Sequence, residues 1–517
     1  MKDSDMKGDG RVSRVAAVLA LAVVALLAWA CSNNNNDSSN NNASNNNNEV
    51  VDPPLSPATV TGPVEGGAGQ ARAAKQDLPS MGYMEEEYFL GGEATSYRAV
   101  GDQGTDGRWQ AEPDATAAYR TRIIVRRPSN AEDFSGVVVV EWLNVTGGGD
   151  LDPDWGYLSP EIIRQGHAWV GVSAQVVGVE GGPGLGGGGQ GLTPLKKSGP
   201  ERYGTLVHPG DAFSYDIFTQ AGRALLERDG PAPLGDLEPR QIIAVGESQS
   251  AFFLTTYVNA VHPLVKFYDG FLLHGRGGAA PGIDGGVDLT SISNPAGGEG
   301  IRTRTDLAEP VLVFETETDV TQLGYITARQ DDTDTVRVWE VAGAAHADHH
   351  MLVEVYGVPE RLLPVVVSCP QPVNEGPQFE VLVAGFHHLV GWVRDGTLPP
   401  AADRIDTDDS GIVRDVYGNA TGGIRTPLLD VPVAALSGEG CALFGRTTPF
   451  DDATLAMLYP TLTDYVRAFM TSADSAVSAG FVLRSEADAM IAEARVRDIG
   501  RPNPEPGLSG GALPRGA

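Results

Sequence analysis

Between residues 123 and 341 one pattern recurs: a short apolar run rich in β-branched residues, then a longer stretch with helical periodicity or turn-forming residues. Ile123-Ile124-Val125, Val137–Val140, Ala168–Val172, Ile242–Val245, Phe271–Leu273, Val311–Phe314 and Val336–Val341 read as successive strands. Strands spaced in this way join as βαβ units in a largely parallel sheet, and the nearly continuous apolar runs require cover on both faces. In Asp211–Arg228 the residues Ala212, Tyr215, Phe218, Ala221, Leu225 and Leu226 fall on one helical face, while Ala251–Val261 reads as a short, buried helix. The expected fold class is therefore α/β: a mostly parallel central sheet with helices on both faces.

Beyond His350 the chain shows helical patterns at Phe379–Arg394, Ala453–Ser472 and Ser485–Arg497 and few strand-like runs. Residues 351–517 are expected to be a long helical C-terminal extension packed on the core of one domain, 59–517. The 65 Gly and 35 Pro follow no collagen-like period and belong in loops, of which Gly178–Gly204 and Gly275–Gly300 are the longest. A net charge of −30 argues against a broad phosphate-gripping surface, so nucleic acid is excluded as an expected partner. Asp403–Asp409 lacks EF-hand spacing and reads as a solvated acidic loop.

Lys2, Lys7, Arg11 and Arg14 precede the uncharged apolar run Val15–Ala30, the order of a secretory signal over residues 1–30. At 16 residues the run falls short of the roughly 20 that a spanning helix needs. It ends Leu27-Ala28-Trp29-Ala30-Cys31, which resembles a bacterial lipoprotein box with Cys31 as the lipidated residue, although Ala28 and Trp29 depart from the preferred pattern. Residues 31–58 form an Asn/Ser/Pro-rich tether: 11 of the 16 positions in 33–48 are Asn, and such a segment has nothing to bury against the entropy cost of ordering. The expectation is an exported envelope protein, touching the membrane only through its lipid. In that compartment the two remaining cysteines, Cys369 and Cys441, are free to bridge.

The chemistry is expected around Val245-Gly246-Glu247-Ser248-Gln249-Ser250, where a strand turns into a helix through small residues. A nucleophile elbow needs this arrangement, because the tight turn thrusts the serine Oγ outward and small residues two before and two after let strand and helix cross closely. Ser248 fits, with Ser250 in place of the usual second glycine. A serine needs an imidazole to accept its proton and a carboxylate to orient that imidazole, in the chain order Ser, acid, His. Pro310–Phe314 is followed by Glu315-Thr316-Glu317-Thr318-Asp319, and Val336–Val341 by Ala342-Gly343-Ala344-Ala345-His346. Asp319 is the favoured acid, Glu317 the alternative, and His346 the base. Two amides must stabilise the oxyanion: that of Gln249, and one from the loop after Val137–Val140, where Asn144 is favoured. Trp142, Trp155, Trp169 and Arg276 could line a pocket, with Arg276 as a substrate-binding residue for a carboxylate, or they could be core aromatics and an ordinary arginine.

Glu141-Trp142-Leu143-Asn144-Val145-Thr146, Gly-Glu-Ser-Gln-Ser at 246–250, Glu315-Thr316-Glu317-Thr318-Asp319 and Gly-Ala-Ala-His-Ala-Asp at 343–348 together resemble a family of bacterial alpha/beta hydrolase domain proteins. The likeness continues through Gly418–Arg425 and covers most of residues 60–500. It implies the α/β-hydrolase fold and a Ser-acid-His mechanism without naming a substrate. The expected activity is hydrolysis of a small-molecule carboxylic ester through an acyl-enzyme, with no metal and no cofactor. Two alternatives stay open: a non-catalytic, surface-tethered binding protein on the same scaffold, and a metal-dependent hydrolase using the cluster His346-Ala347-Asp348-His349-His350. The sequence is silent on oligomeric state.

Overall fold

Alternate residues of the central strands point to opposite sides of one sheet, and both sides are buried. Val138 and Val140 join an apolar cluster with Phe218, Ala221 and Phe253, whereas Val137 and Val139 join another with Trp155, Leu158 and Leu382. At roughly 1.5–3 kcal/mol for each large apolar side chain removed from water, this double burial is the main stabilising contribution to the sheet. The architecture is that of a computed structural model, which describes residues 58–65, 76–182, 192–228, 230–286, 298–369 and 371–499. The expected leader, Cys31 and the tether up to residue 57 lie outside the described residues. Among those described, no helix is long and apolar enough to cross a membrane.

Among the described residues nine strands form the sheet: β1 (Thr59–Thr61), β2 (Tyr83–Ala99), β3 (Ala111–Pro128), β4 (Val137–Trp142), β5 (Ala168–Val172), β6 (Gln241–Glu247), β7 (Gly270–His274), β8 (Val311–Thr316) and β9 (Val336–Val341). Their spatial order is β1-β2-β3-β5-β4-β6-β7-β8-β9. From β5 to β9 every neighbouring pair is parallel, while β1, β2 and β3 pair antiparallel at one end. Helices α1 (Pro153–Arg164) and α5 (Gln378–Asp395) cover one face; α2 (Ser214–Ala224) and α3 (Gln249–Thr256) cover the other, and the short α4 (Glu317–Thr321) follows β8.

All seven expected strands are present. The long hairpin β2–β3 extends well beyond the expected run at 123–125, because much of it is polar: Glu85 and Glu86 pair with Arg126 and Arg127 across the strands, at 2.7 and 2.8 Å, and Arg126 is buried with its charge paired in this way. The stretch expected as one helix at 453–472 divides into α6 (Asp452–Leu458) and α7 (Leu462–Ala479), with Pro460 in the break. With α8 (Arg484–Ala494), α7 builds a satellite core around Tyr465, Phe469 and Met490. The C-terminal part also contains two small antiparallel ribbons, Thr407–Asp408 with Gly411–Ile412 and Ala434–Ser437 with Arg446–Pro449, so it is less purely helical than its pattern predicts.

Cys369 and Cys441 are joined in a disulfide, with Cα atoms 5.9 Å apart and a separation of 72 positions in sequence. A loop of that length is expected to stabilise by about 2–4 kcal/mol through restriction of the unfolded chain. Replacing both cysteines by serine should lower the free energy of urea unfolding by that amount; an unchanged midpoint would show that the C-terminal part is held without the bridge.

Candidate active site

Parallel strands end together, and the carboxyl ends of β6, β8 and β9 bring three distant segments to one edge. Ser248 sits between β6 and α3 with φ 56° and ψ −120°, a left-handed conformation that side-chain-bearing residues rarely adopt. Its neighbours Glu247, Gln249 and Ser250 are buried while Ser248 is only partly so. Close packing of strand on helix requires the small residues: a Cβ on Gly246 would lie 2.9 Å from Leu254 Cδ1 and 3.1 Å from the Ser250 Cβ. Ser250, fully buried, therefore fills the place of the second glycine.

His346 Nε2 lies 2.8 Å from Ser248 Oγ, and His346 Nδ1 lies 2.6 Å from Asp319 Oδ1. The other Asp319 oxygen, Oδ2, accepts from the Thr316 amide and hydroxyl, each at 2.7 Å, so the carboxylate is fixed before it meets the ring. The Thr318 hydroxyl accepts from the His346 amide at 3.2 Å and donates to the Gly438 carbonyl at 2.6 Å, which ties the histidine loop to the C-terminal ribbon. Burial pulls the imidazole pKa down, but the charge of Asp319 and its hydrogen bond, with a smaller contribution from Glu247, outweigh that and lift it to about 9.

Of the two carboxylates considered as the acid, Asp319 meets the histidine and Glu317 does not. Glu317 is fully buried, accepts from the Gly343 and Gly438 amides at 2.6 and 3.0 Å, and pairs with Arg414 at 2.9 Å. It anchors the two loops beside the site. Asn144 also departs from expectation as an amide donor: its N–H is committed to the Leu151 carbonyl at 2.9 Å, and its side-chain Nδ2 donates to the Glu247 carbonyl and carboxylate, both at 3.1 Å. The next amide, that of Val145, points at Gln249 Oε1 at 3.4 Å. Gln249 itself opens α3, where a backbone N–H has no partner within the helix.

Arg276 does not present its charge to an open site. It is 1% exposed, stacks over Tyr325 and donates to Gly277 and Ile301 carbonyls and the Thr303 hydroxyl, so it binds one loop to another. The tryptophans are core residues: Trp142 packs on Phe218 and Phe253, and Trp155 and Trp169 both lie against Arg126, each within 4.6 Å of its guanidinium. The histidine cluster does not converge. His346 faces Asp319 and Ser248, His349 faces Glu360 at 2.7 Å, and His350 is stacked on Phe379 with centroids 4.2 Å apart. Among the described residues no three His, Cys, Asp or Glu side chains are grouped to hold a metal.

The sequence profile described as "Alpha/beta hydrolase domain" matches residues 60–492. The chain belongs to the alpha/beta hydrolase domain family. Its sheet order and the serine at the β6–α3 turn agree with that membership. Solved structures similar to it include a putative dienelactone hydrolase from Klebsiella pneumoniae, 12% identical over 59% of this chain and 99% of that one, with a TM-score of 0.28. A fungal esterase from Rhizomucor miehei is 14% identical, over 59% of this chain and 84% of that one, at 0.29. An alpha-beta serine hydrolase homologue from Coxiella burnetii is 12% identical, over 47% and 92%, at 0.27. Likenesses of this size say nothing of substrate. No curated protein matches the chain.

Two further residues of this alpha/beta hydrolase shape the site and went unnoticed in the sequence. Glu247 places Oε1 3.3 Å from His346 Nε2. Gly275, just past β7, has φ 65°, and a Cβ there would lie 3.1 Å from His346 Nδ1 and 3.6 Å from Asp319 Oδ1. A positive φ and a missing Cβ are both needed at this position. The only sequence signal was its place after a strand end, which Gly275 shares with many turn glycines. Gly275→Ala should therefore cost more than about 1 kcal/mol of stability and displace the ring from Asp319. Loss of the low-field Nδ1 proton in the NMR spectrum would report the displacement; a retained resonance at unchanged stability would show that the pocket has slack.

Proposed function

We propose that the protein is a serine hydrolase acting on carboxylic esters through an acyl-enzyme. The observation that carries this reading is the hydrogen-bonded line from Ser248 Oγ through His346 to Asp319, at 2.8 and 2.6 Å. Ser248 Oγ attacks the acyl carbon while His346 Nε2 takes its proton. Asp319 keeps the remaining N–H on Nδ1 and stabilises the imidazolium, which then protonates the departing alkoxide. Water, deprotonated by the same nitrogen, attacks the acyl-serine; the carboxylic acid leaves and Ser248 regains its proton. In this reading the amides of Gln249 and Val145 receive the oxyanion, with Val145 replacing Asn144, and the Gln249 side-chain oxygen now facing Val145 yields its place to the substrate oxygen.

We also propose export, with residues 1–30 as the leader and Cys31 as the lipid-bearing anchor; the Cys369–Cys441 bridge is in keeping with an oxidising compartment.

A fluorophosphonate probe is expected to label the wild-type chain and leave Ser248→Ala unlabelled. Equal labelling of the two would end the assignment. Because only neutral His346 can accept the serine proton, kcat/KM for a soluble ester should rise with pH up to about 9, the value to which Asp319 lifts the ring. Asp319→Asn should move that acid limb to lower pH and reduce kcat by about 10⁴-fold. A limb that stays in place would remove Asp319 from the mechanism.

A further inference from the structure

Glu247 is the last residue of β6, directly before the nucleophile, and is 4% exposed. Its Oε1 lies 3.3 Å from His346 Nε2, the nitrogen that also meets Ser248 Oγ. Its Oε2 is held by Asn144 Nδ2 at 3.1 Å, so the carboxyl group is braced from behind and aimed at the ring. The imidazole thus lies between two carboxyl groups, Asp319 at Nδ1 and Glu247 at Nε2. The chemistry proposed above uses only the first.

We propose that Glu247 is a positioning residue: in its ionised form it holds a proton on His346 Nε2, and so it sets the pH at which the ring becomes available to Ser248. This rests on the serine hydrolase reading. The groups facing Glu247 are His346 from the loop after β9, Asp319 from α4, His274 from β7, Asp154 and Tyr157 from α1, and Tyr356 beyond the histidine loop. Burial pushes the Glu247 carboxyl up to about 7; His346 and His274 pull against this, while Asp154 and Asp319 add to it. Burial thus moves its change of charge toward neutral pH, below the value to which the ring of His346 is lifted. Ionised Glu247 favours imidazolium, the wrong form for a base, and the neutral form relaxes that hold.

The test is the pH dependence of the second-order rate at which a fluorophosphonate modifies the full-length chain. In Glu247→Gln the amide oxygen still accepts from Asn144, so the brace survives while the charge is lost. The acid limb is expected about one pH unit lower than in the wild type. In Glu247→Asp, which restores a carboxylate, the limb should lie nearer the wild-type position. A limb unmoved in folded Glu247→Gln overturns the proposal, since a merely structural role predicts lower stability with no change in the profile. The wild-type protein supplies a second reading that needs no variant of Glu247. The ¹⁵N shift of His346 Nε2, assigned by its loss in His346→Gln, should titrate in two steps, one of them near 7. A single step overturns the proposal even if Glu247→Gln fails to fold. Absence of modification of the wild type at every pH would instead defeat the serine hydrolase reading, and the NMR titration would still report on the coupling of Glu247 to the ring.

Discussion

Parallel strands share one direction, so whatever follows their carboxyl ends must gather along one edge of the sheet. That constraint sets the rest of the molecule. It takes a turn after β6, a turn after β8 and a loop after β9, each far from the others in sequence, and makes them neighbours. The sheet can be parallel only because both its faces are covered, by α1 and α5 on one side and α2 and α3 on the other. Hydrophobic burial is thus the source of the candidate site's geometry as well as of stability.

The edge is crowded with carboxyl groups, and their fates differ with their surroundings. Asp319 is oriented by Thr316 and meets a ring nitrogen. Glu317, two residues earlier on the same short helix, is taken by Arg414 and two amides and becomes a brace for neighbouring loops. Glu141, at the end of β4, accepts from the Asp154 and Trp155 amides and the Trp169 indole, and burial pushes its carboxyl well above the usual carboxylate range. Burial does the same to Glu315, beside Asp319 and Arg276. In both cases desolvation by burial is the first cause, so the low dielectric of the interior disfavours the charged form of these acids.

Most of the sheet and the candidate triad were legible because each depends on local pattern. The strand segments 137–140, 242–245 and 311–314 are apolar throughout, and a serine between small residues at a strand-to-helix turn announces itself by spacing. The β2–β3 hairpin was not legible, since Glu85, Glu86, Arg126 and Arg127 satisfy one another across strands and look polar in isolation. Arg276 illustrates the opposite error: its place after a strand suggested a substrate contact, but whether a guanidinium meets solvent or a ring of carbonyls depends on a loop 25 residues away. Asn144 fails as a donor for a similar reason, because the bridge from its amide to Leu151 closes a loop whose shape no single residue reveals.

The sequence by itself determined the order of strands and helices, the tight turn at Ser248 and the supply of acids and histidines after strand ends, all of which follow from periodicity and side-chain volume along a contiguous stretch. Only the tertiary structure decided which carboxylate meets His346, that Glu247 reaches the same ring from the other side, and that Gly275 must lack a Cβ beside it. Those outcomes turn on distances of 2.6 to 3.3 Å between segments tens of residues apart, and such distances exist only once the two faces of the sheet are packed.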